Sequence, residues 1–119
     1  MAITAQDMVA AAKQQITEID ARSANLQRGK SLVLDVREPA EFATAHLPGA
    51  INIPRGVVEF QITGHPAFQG QQQADILVYC QSGGRAALAT LALNQLGYEK
   101  AVSLEGGFKA WLDNGLPLG

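Results

Sequence analysis

Two short, unbroken runs of strand-forming residues, at 31–36 (Ser-Leu-Val-Leu-Asp-Val) and 74–80 (Ala-Asp-Ile-Leu-Val-Tyr-Cys), constrain this chain more than any other feature. Neither alternates apolar and polar residues as a strand with one wet face does, so each must be covered on both sides. Coverage on both sides is what a parallel sheet with helices above and below provides. Shorter runs at 50–53 and 101–104, and a weaker one at 15–19, extend such a sheet.

Helical patterns fall between the strands. Thr4 and Asp7 have the spacing of a capping box that opens a helix over 5–14, with Met8, Val9 and Ala12 as its apolar stripe. Further helices are predicted over 39–45, over the Ala- and Leu-rich segment 85–96 and over 108–114. Gly97 and Gly115 then stand where helices end. The segment 55–73 contains Gly56, Gly64, Pro66, Gly70 and three consecutive glutamines, and reads as partly helical and then loop. Strands alternating with helices predict an α/β fold with a largely parallel sheet, and the 119 residues suit one domain, 1–119, without internal repeats.

Charge narrows the partners. The nine Lys and Arg residues are scattered and the net charge is -2, which predicts neither nucleic-acid nor membrane binding. The first residues lack the basic start and apolar run of a secretory leader, no stretch has membrane-spanning length, and a lone cysteine suits a reducing compartment, so a cytoplasmic location is expected. His46 and His65 have no zinc-ligand spacing with that cysteine, so no metal is expected from the residues.

The cysteine, Cys80, ends the clearest strand, and parallel sheets bind ligands at the carboxyl ends of their strands. Gln81, Ser82, Gly83, Gly84 and Arg85 follow, and then the long helix. A strand, a glycine-bearing loop and a helix start form an anion cradle: glycines let N–H groups turn inward, the helix adds free N–H groups and its positive end, and Arg85 adds a full charge. Such surroundings favour a thiolate, the nucleophilic form of cysteine, and would also stabilise an anion carried on it. The alternative is a buried, inert cysteine, which has no need of two glycines and an arginine beside it.

Three stretches together resemble the rhodanese family. They are Asp35-Val36-Arg37-Glu38-Pro39-Ala40-Glu41-Phe42 running into His46-Leu47-Pro48-Gly49-Ala50-Ile51-Asn52-Ile53-Pro54, then the loop from Cys80 to Arg85, and finally Leu104-Glu105-Gly106-Gly107-Phe108-Lys109-Ala110-Trp111 followed by Gly115-Leu116-Pro117. The resemblance implies a rhodanese-like α/β fold, a five-stranded parallel sheet flanked by helices on both faces. It also implies transfer of sulfane sulfur from thiosulfate or a similar small-molecule donor, through a persulfide on Cys80, to cyanide or a thiol. Cys80 is then the nucleophile, the backbone from Gln81 to Arg85 holds the persulfide, and Arg85 attracts the anionic donor; the resemblance implies no metal and no organic cofactor. Related phosphatases and arsenate reductases have five residues between cysteine and arginine, whereas this chain has four, and a smaller ring suits one sulfur better than a tetrahedral oxyanion. Ala45 before His46, and Gln81 where a basic residue is common, depart from the family pattern. A third function class is a carrier that takes sulfur from a partner protein and turns over little by itself.

Other residues are weighed against plainer roles. Asp35 and Arg37 lie two apart at a strand end, on one side and at the edge where Cys80 lies, and could brace the loop; a surface ion pair is the alternative. Arg55 follows the run at 50–53 and is expected at the same rim, as a donor or acceptor contact or as a solvated arginine. Glu41 and Glu105 read as structural, anchoring N–H groups or pairing with an arginine. His46 reads as packing or capping rather than as a base, His65 as an exposed loop residue, and Trp111 with Phe108 and Leu112 as core.

Overall fold

A computed structural model describes residues 2–119. Five strands, β1 (Glu18–Ile19), β2 (Leu32–Asp35), β3 (Ile51–Asn52), β4 (Ile76–Tyr79) and β5 (Ala101–Leu104), form one parallel sheet in the order β1-β5-β4-β2-β3. The register sets Leu34 beside Val78 and Val78 beside Ser103. No residue of β4 is more than 3% exposed, as its unbroken apolar run requires.

Alternate residues of β4 serve two cores. Ile76 and Val78, with Leu34 and Cys80, pack with Ala86, Ala89 and Leu93 of the long helix α5 (Gly84–Gln95). Leu77 and Tyr79 turn to the opposite face, among Ala21 and Ala24 of α2 (Ala21–Gln27) and Phe108 and Trp111 of α6 (Gly107–Asp113). The first helix, α1 (Ala5–Lys13), lies against α5, α3 (Pro39–Thr44) follows β2, and the single-turn α4 (Val58–Gln61) sits between two 3₁₀ turns. No helix of the described residues is long and apolar enough to cross a membrane.

The expected capping box is formed: Asp7 N–H donates to Thr4 Oγ1 and Thr4 N–H to Asp7 Oδ2, both at 3.0 Å. Its apolar stripe differs, because Ala12 is the buried residue of α1 and Met8 is half exposed. Gly97 and Gly115 take positive φ just past α5 and α6. Residues 55–73 are short helical turns followed by hydrogen-bonded turns. Helix α2 was not expected. Its signal is an N-cap, Asp20 accepting from Ser23 N–H at 2.8 Å, while its buried face is only two alanines, too faint an apolar period to show in the sequence.

Candidate active site

The turn from β4 into α5 builds the centre of the site. Gly83 has φ +114°, a conformation open to glycine at little cost, and it turns the chain back over Cys80. The Cys80 Sγ accepts hydrogen bonds from Gly83 N–H at 3.1 Å and Ala86 N–H at 3.3 Å. The N–H groups of Gln81, Ser82, Gly84 and Arg85 make no hydrogen bond among the described residues; the last two belong to the first turn of α5, which has no intrahelical acceptors for them. Cys80 is only 1% exposed, so the Gly83 and Ala86 N–H groups reach its sulfur with little competition from bulk water.

The loop carbonyls are taken up elsewhere. Phe108 N–H donates to Cys80 O at 2.8 Å and Lys109 N–H to Gln81 O at 3.0 Å. This contact is the physical reason for glycine at 107, which has φ +60° and where a Cβ would stand 2.6 Å from Cys80 O and 2.7 Å from Gln81 O. With these two carbonyls held by α6, the loop's other polar edge is left for the sulfur.

Arg37 lies beside this scaffold, 2% exposed, and its Nη2 is 2.7 Å from Asp35 Oδ2. Arg37 Nε and backbone N–H also donate to Asp35, and Nη2 donates to Ala45 O. Burial works against the Arg37 charge, but the bonds and charge of Asp35 outweigh it and hold the guanidinium protonated. That guanidinium sits 4.5 Å from the centroid of Phe108 and 5.4 Å from that of Tyr79. Asp35 and Arg37 are therefore a buried pair, not a surface one, and they reach the Cys80 loop through Phe108. Asn52 Nδ2 ties down the end of β2 by donating to the carbonyls of Asp35 and Arg37.

A cavity of about 250 Å³ opens beside the loop, lined by Arg37, Glu41, Thr44, Ala45, Gln81 and Phe108. Arg85 makes a two-pronged contact with Glu41 across its edge, Nη1 to Oε1 at 2.7 Å and Nη2 to Oε2 at 3.0 Å. The Arg85 guanidinium, helped by the Glu38 N–H, holds the Glu41 carboxyl down at about 2. Arg55 is not in the cavity wall; its Nη1 pairs with Glu59 at 2.9 Å.

Residues 11–114 match the family model of the rhodanese-like domain. The chain belongs to the rhodanese-like family. A sulfurtransferase of Allochromatium vinosum is 32% identical over 87% of this chain and 94% of that protein. Chloroplastic thiosulfate sulfurtransferase 16 of Arabidopsis thaliana is 42% identical over 71% of this chain and 76% of its own length. Among solved structures, a Rhodopseudomonas palustris protein described as of unknown function and a possible tyrosine phosphatase superposes with a TM-score of 0.88 at 27% identity, over all of this chain and 96% of the other.

The remaining candidates of this rhodanese-like chain make no side-chain hydrogen bond with the Cys80 loop among the described residues. His46 stacks on Phe42 at 4.0 Å and its Nδ1 lies 3.0 Å from the Phe42 carbonyl near the end of α3. His65 Nδ1 accepts from Ala67 N–H at 3.1 Å, bracing a turn. Trp111 is fully buried and its indole N–H donates to Pro117 O. Glu105 is exposed and its carboxylate has no partner among the described residues, unlike the anchoring or pairing expected of it. Sequence reasoning missed Ala86 as a donor to sulfur, Thr44, Ala45 and Phe108 as cavity wall, and Lys13, whose Nζ would lie 3.9 Å from a Cβ on Gly83. Phe108 had a signal, its place directly after Gly106-Gly107; the others depend on contacts between distant segments.

Proposed function

We propose that this chain is a sulfurtransferase that carries sulfane sulfur as a persulfide on Cys80, from thiosulfate or a similar donor to cyanide, a small thiol or the thiol of an acceptor protein in the cytoplasm. Relatives named sulfurtransferase at 32% and 42% identity support the reaction class. The observation that carries it is the pair of N–H donors on Cys80 Sγ, in a loop whose other N–H groups are uncommitted. Such a ring stabilises negative charge on sulfur before and after loading.

In the first step the Cys80 thiolate attacks the outer sulfur of thiosulfate; the S–S bond of the donor breaks, its electron pair leaves with sulfite, and a new S–S bond forms on Cys80. The terminal sulfur of that persulfide carries the negative charge into the ring. In the second step an acceptor thiolate or cyanide takes this sulfur, and the bonding pair returns to Cys80. Asp35 and Arg37 hold the floor on which Phe108 keeps the loop carbonyls turned away, a positioning role.

The phosphatase reading has the Rhodopseudomonas palustris neighbour behind it. Against it stands the interval of four residues between Cys80 and Arg85, one fewer than in the related phosphatases, which makes a smaller ring that suits one sulfur better than a phosphoryl group. Thiocyanate formation from thiosulfate and cyanide, lost in Cys80→Ser, together with negligible hydrolysis of an aryl phosphate, is the expected outcome. Aryl phosphate turnover exceeding sulfur transfer would reverse the assignment.

A further inference from the structure

Every cation around the Cys80 loop already has a carboxylate. Arg37 is held by Asp35 at 2.7 Å, Arg85 by Glu41 at 2.7 Å, Lys109 by Asp113 at 2.9 Å and, more loosely, Lys13 by Glu18 at 3.8 Å. At the next rim position Arg55 is held by Glu59. The cavity wall itself holds two charges of opposite sign, Arg37 and Glu41, and the loop residue facing it, Gln81, is neutral. A dianion entering this cavity meets the Glu41 carboxylate and finds no unpaired positive charge to offset it, and the chain's net charge of -2 adds to the repulsion.

The cavity is also larger than thiosulfate requires. Its volume of about 250 Å³ is that of roughly eight waters, and Ala45 and Phe108, with Thr44 beside them, supply the less polar part of its wall. An organic group attached to the transferred sulfur would cover that wall.

We propose that Glu41, by neutralising Arg85 at the edge of the cavity, sets the preferred sulfur donor: an organic persulfide or thiosulfonate of at most one negative charge, with its organic group against Thr44, Ala45 and Phe108, in preference to the thiosulfate dianion. This rests on the sulfurtransferase reading above and names its donor class. With a thiosulfonate, the Cys80 thiolate attacks the terminal sulfur; the donor S–S bond breaks, its electron pair leaves with the sulfinate, and Cys80 gains the sulfur. With a persulfide the leaving group is the thiolate, which takes up a proton from water. Glu41 touches none of the reacting atoms and acts through Arg85 and through its own charge.

The test compares thiosulfate with benzenethiosulfonate, a monoanion, on the wild-type chain and on Glu41→Gln, following sulfite or sulfinate release with cyanide as acceptor. Glutamine keeps an oxygen to accept the Glu38 N–H, so the start of α3 retains its cap. The wild type is expected to favour benzenethiosulfonate in kcat/KM by about tenfold or more. In Glu41→Gln this gap closes, through a lower KM for thiosulfate with kcat little changed. A second measurement needs no variant: raising ionic strength should leave wild-type kcat/KM for thiosulfate level or raise it, because no free cation is there to be screened. Preference for thiosulfate, an unchanged donor ratio in Glu41→Gln, or a steep loss of thiosulfate activity with salt would each overturn the proposal while leaving sulfur transfer intact. If neither donor loads Cys80, the sulfurtransferase reading itself fails.

Discussion

Asp35 and Arg37 show how far single residues can be read. Their spacing on a strand placed them on one side near Cys80, but not inside the protein, because burial is decided by Tyr79, Phe108 and Ala45, which close over them from three other segments. Asp35→Ala would leave the Arg37 guanidinium buried and unpaired, a loss of about 3–5 kcal/mol, which a shift of the urea midpoint at constant slope would register. The glycines divide in the same way. Gly83, with φ +114°, and Gly107, with its contact to the loop carbonyls, need glycine, whereas a Cβ on Gly84 would meet only Val9 Cγ2 at an ordinary 3.6 Å. Gly84→Ala should therefore change stability by no more than about 0.5 kcal/mol and keep the loop, contrary to the reading in which both glycines of the loop serve the cradle.

Among the elements, those carried by long apolar runs were legible, and those held by a few small residues were not. β4 and β5 lie within the predicted 74–80 and 101–104, and α5 begins one residue before the expected 85. Helix α2 escaped because two buried alanines leave no visible stripe, and α1 was found by its cap, with Ala12 of its expected stripe buried and Met8 half exposed. The Cys80 loop was visible as a strand, turn and helix start. What could not be read was that α6 docks on that loop from behind, because only the fold brings 107–109 to 80–81. Gly107→Ala combines backbone strain of about 1–3 kcal/mol with a clash against Cys80 O and Gln81 O. It should lower kcat of sulfur transfer well below that of Gly84→Ala, which keeps the loop, and a crystal structure of the variant should show the loop carbonyls displaced.

At the scale of the whole molecule, Glu41 and Arg85 tie α3 to α5 across the mouth of the site. The Glu41 carboxyl lies at about 2, below its ordinary 4.5, because Arg85 and the Glu38 N–H favour its charged form. The contribution is therefore complete above pH 4.5 and is lost as the pH falls from there toward 2. Both groups are about a third exposed, so the effect is that of a screened surface pair, up to about 1 kcal/mol. The stability difference between the wild-type chain and Glu41→Gln, followed by urea unfolding, should be level from pH 7 to about 5 and vanish toward pH 2; a difference that grew on acidification would contradict the pairing. The central claim is that the one cysteine of the chain holds the sulfur in transit. Intact-mass spectrometry after exposure to a sulfane-sulfur donor tests it most directly: the wild type should gain the mass of a single sulfur, released by excess thiol, and Cys80→Ser should gain nothing, whereas an unmodified wild type, or an equal gain in the variant, would contradict it.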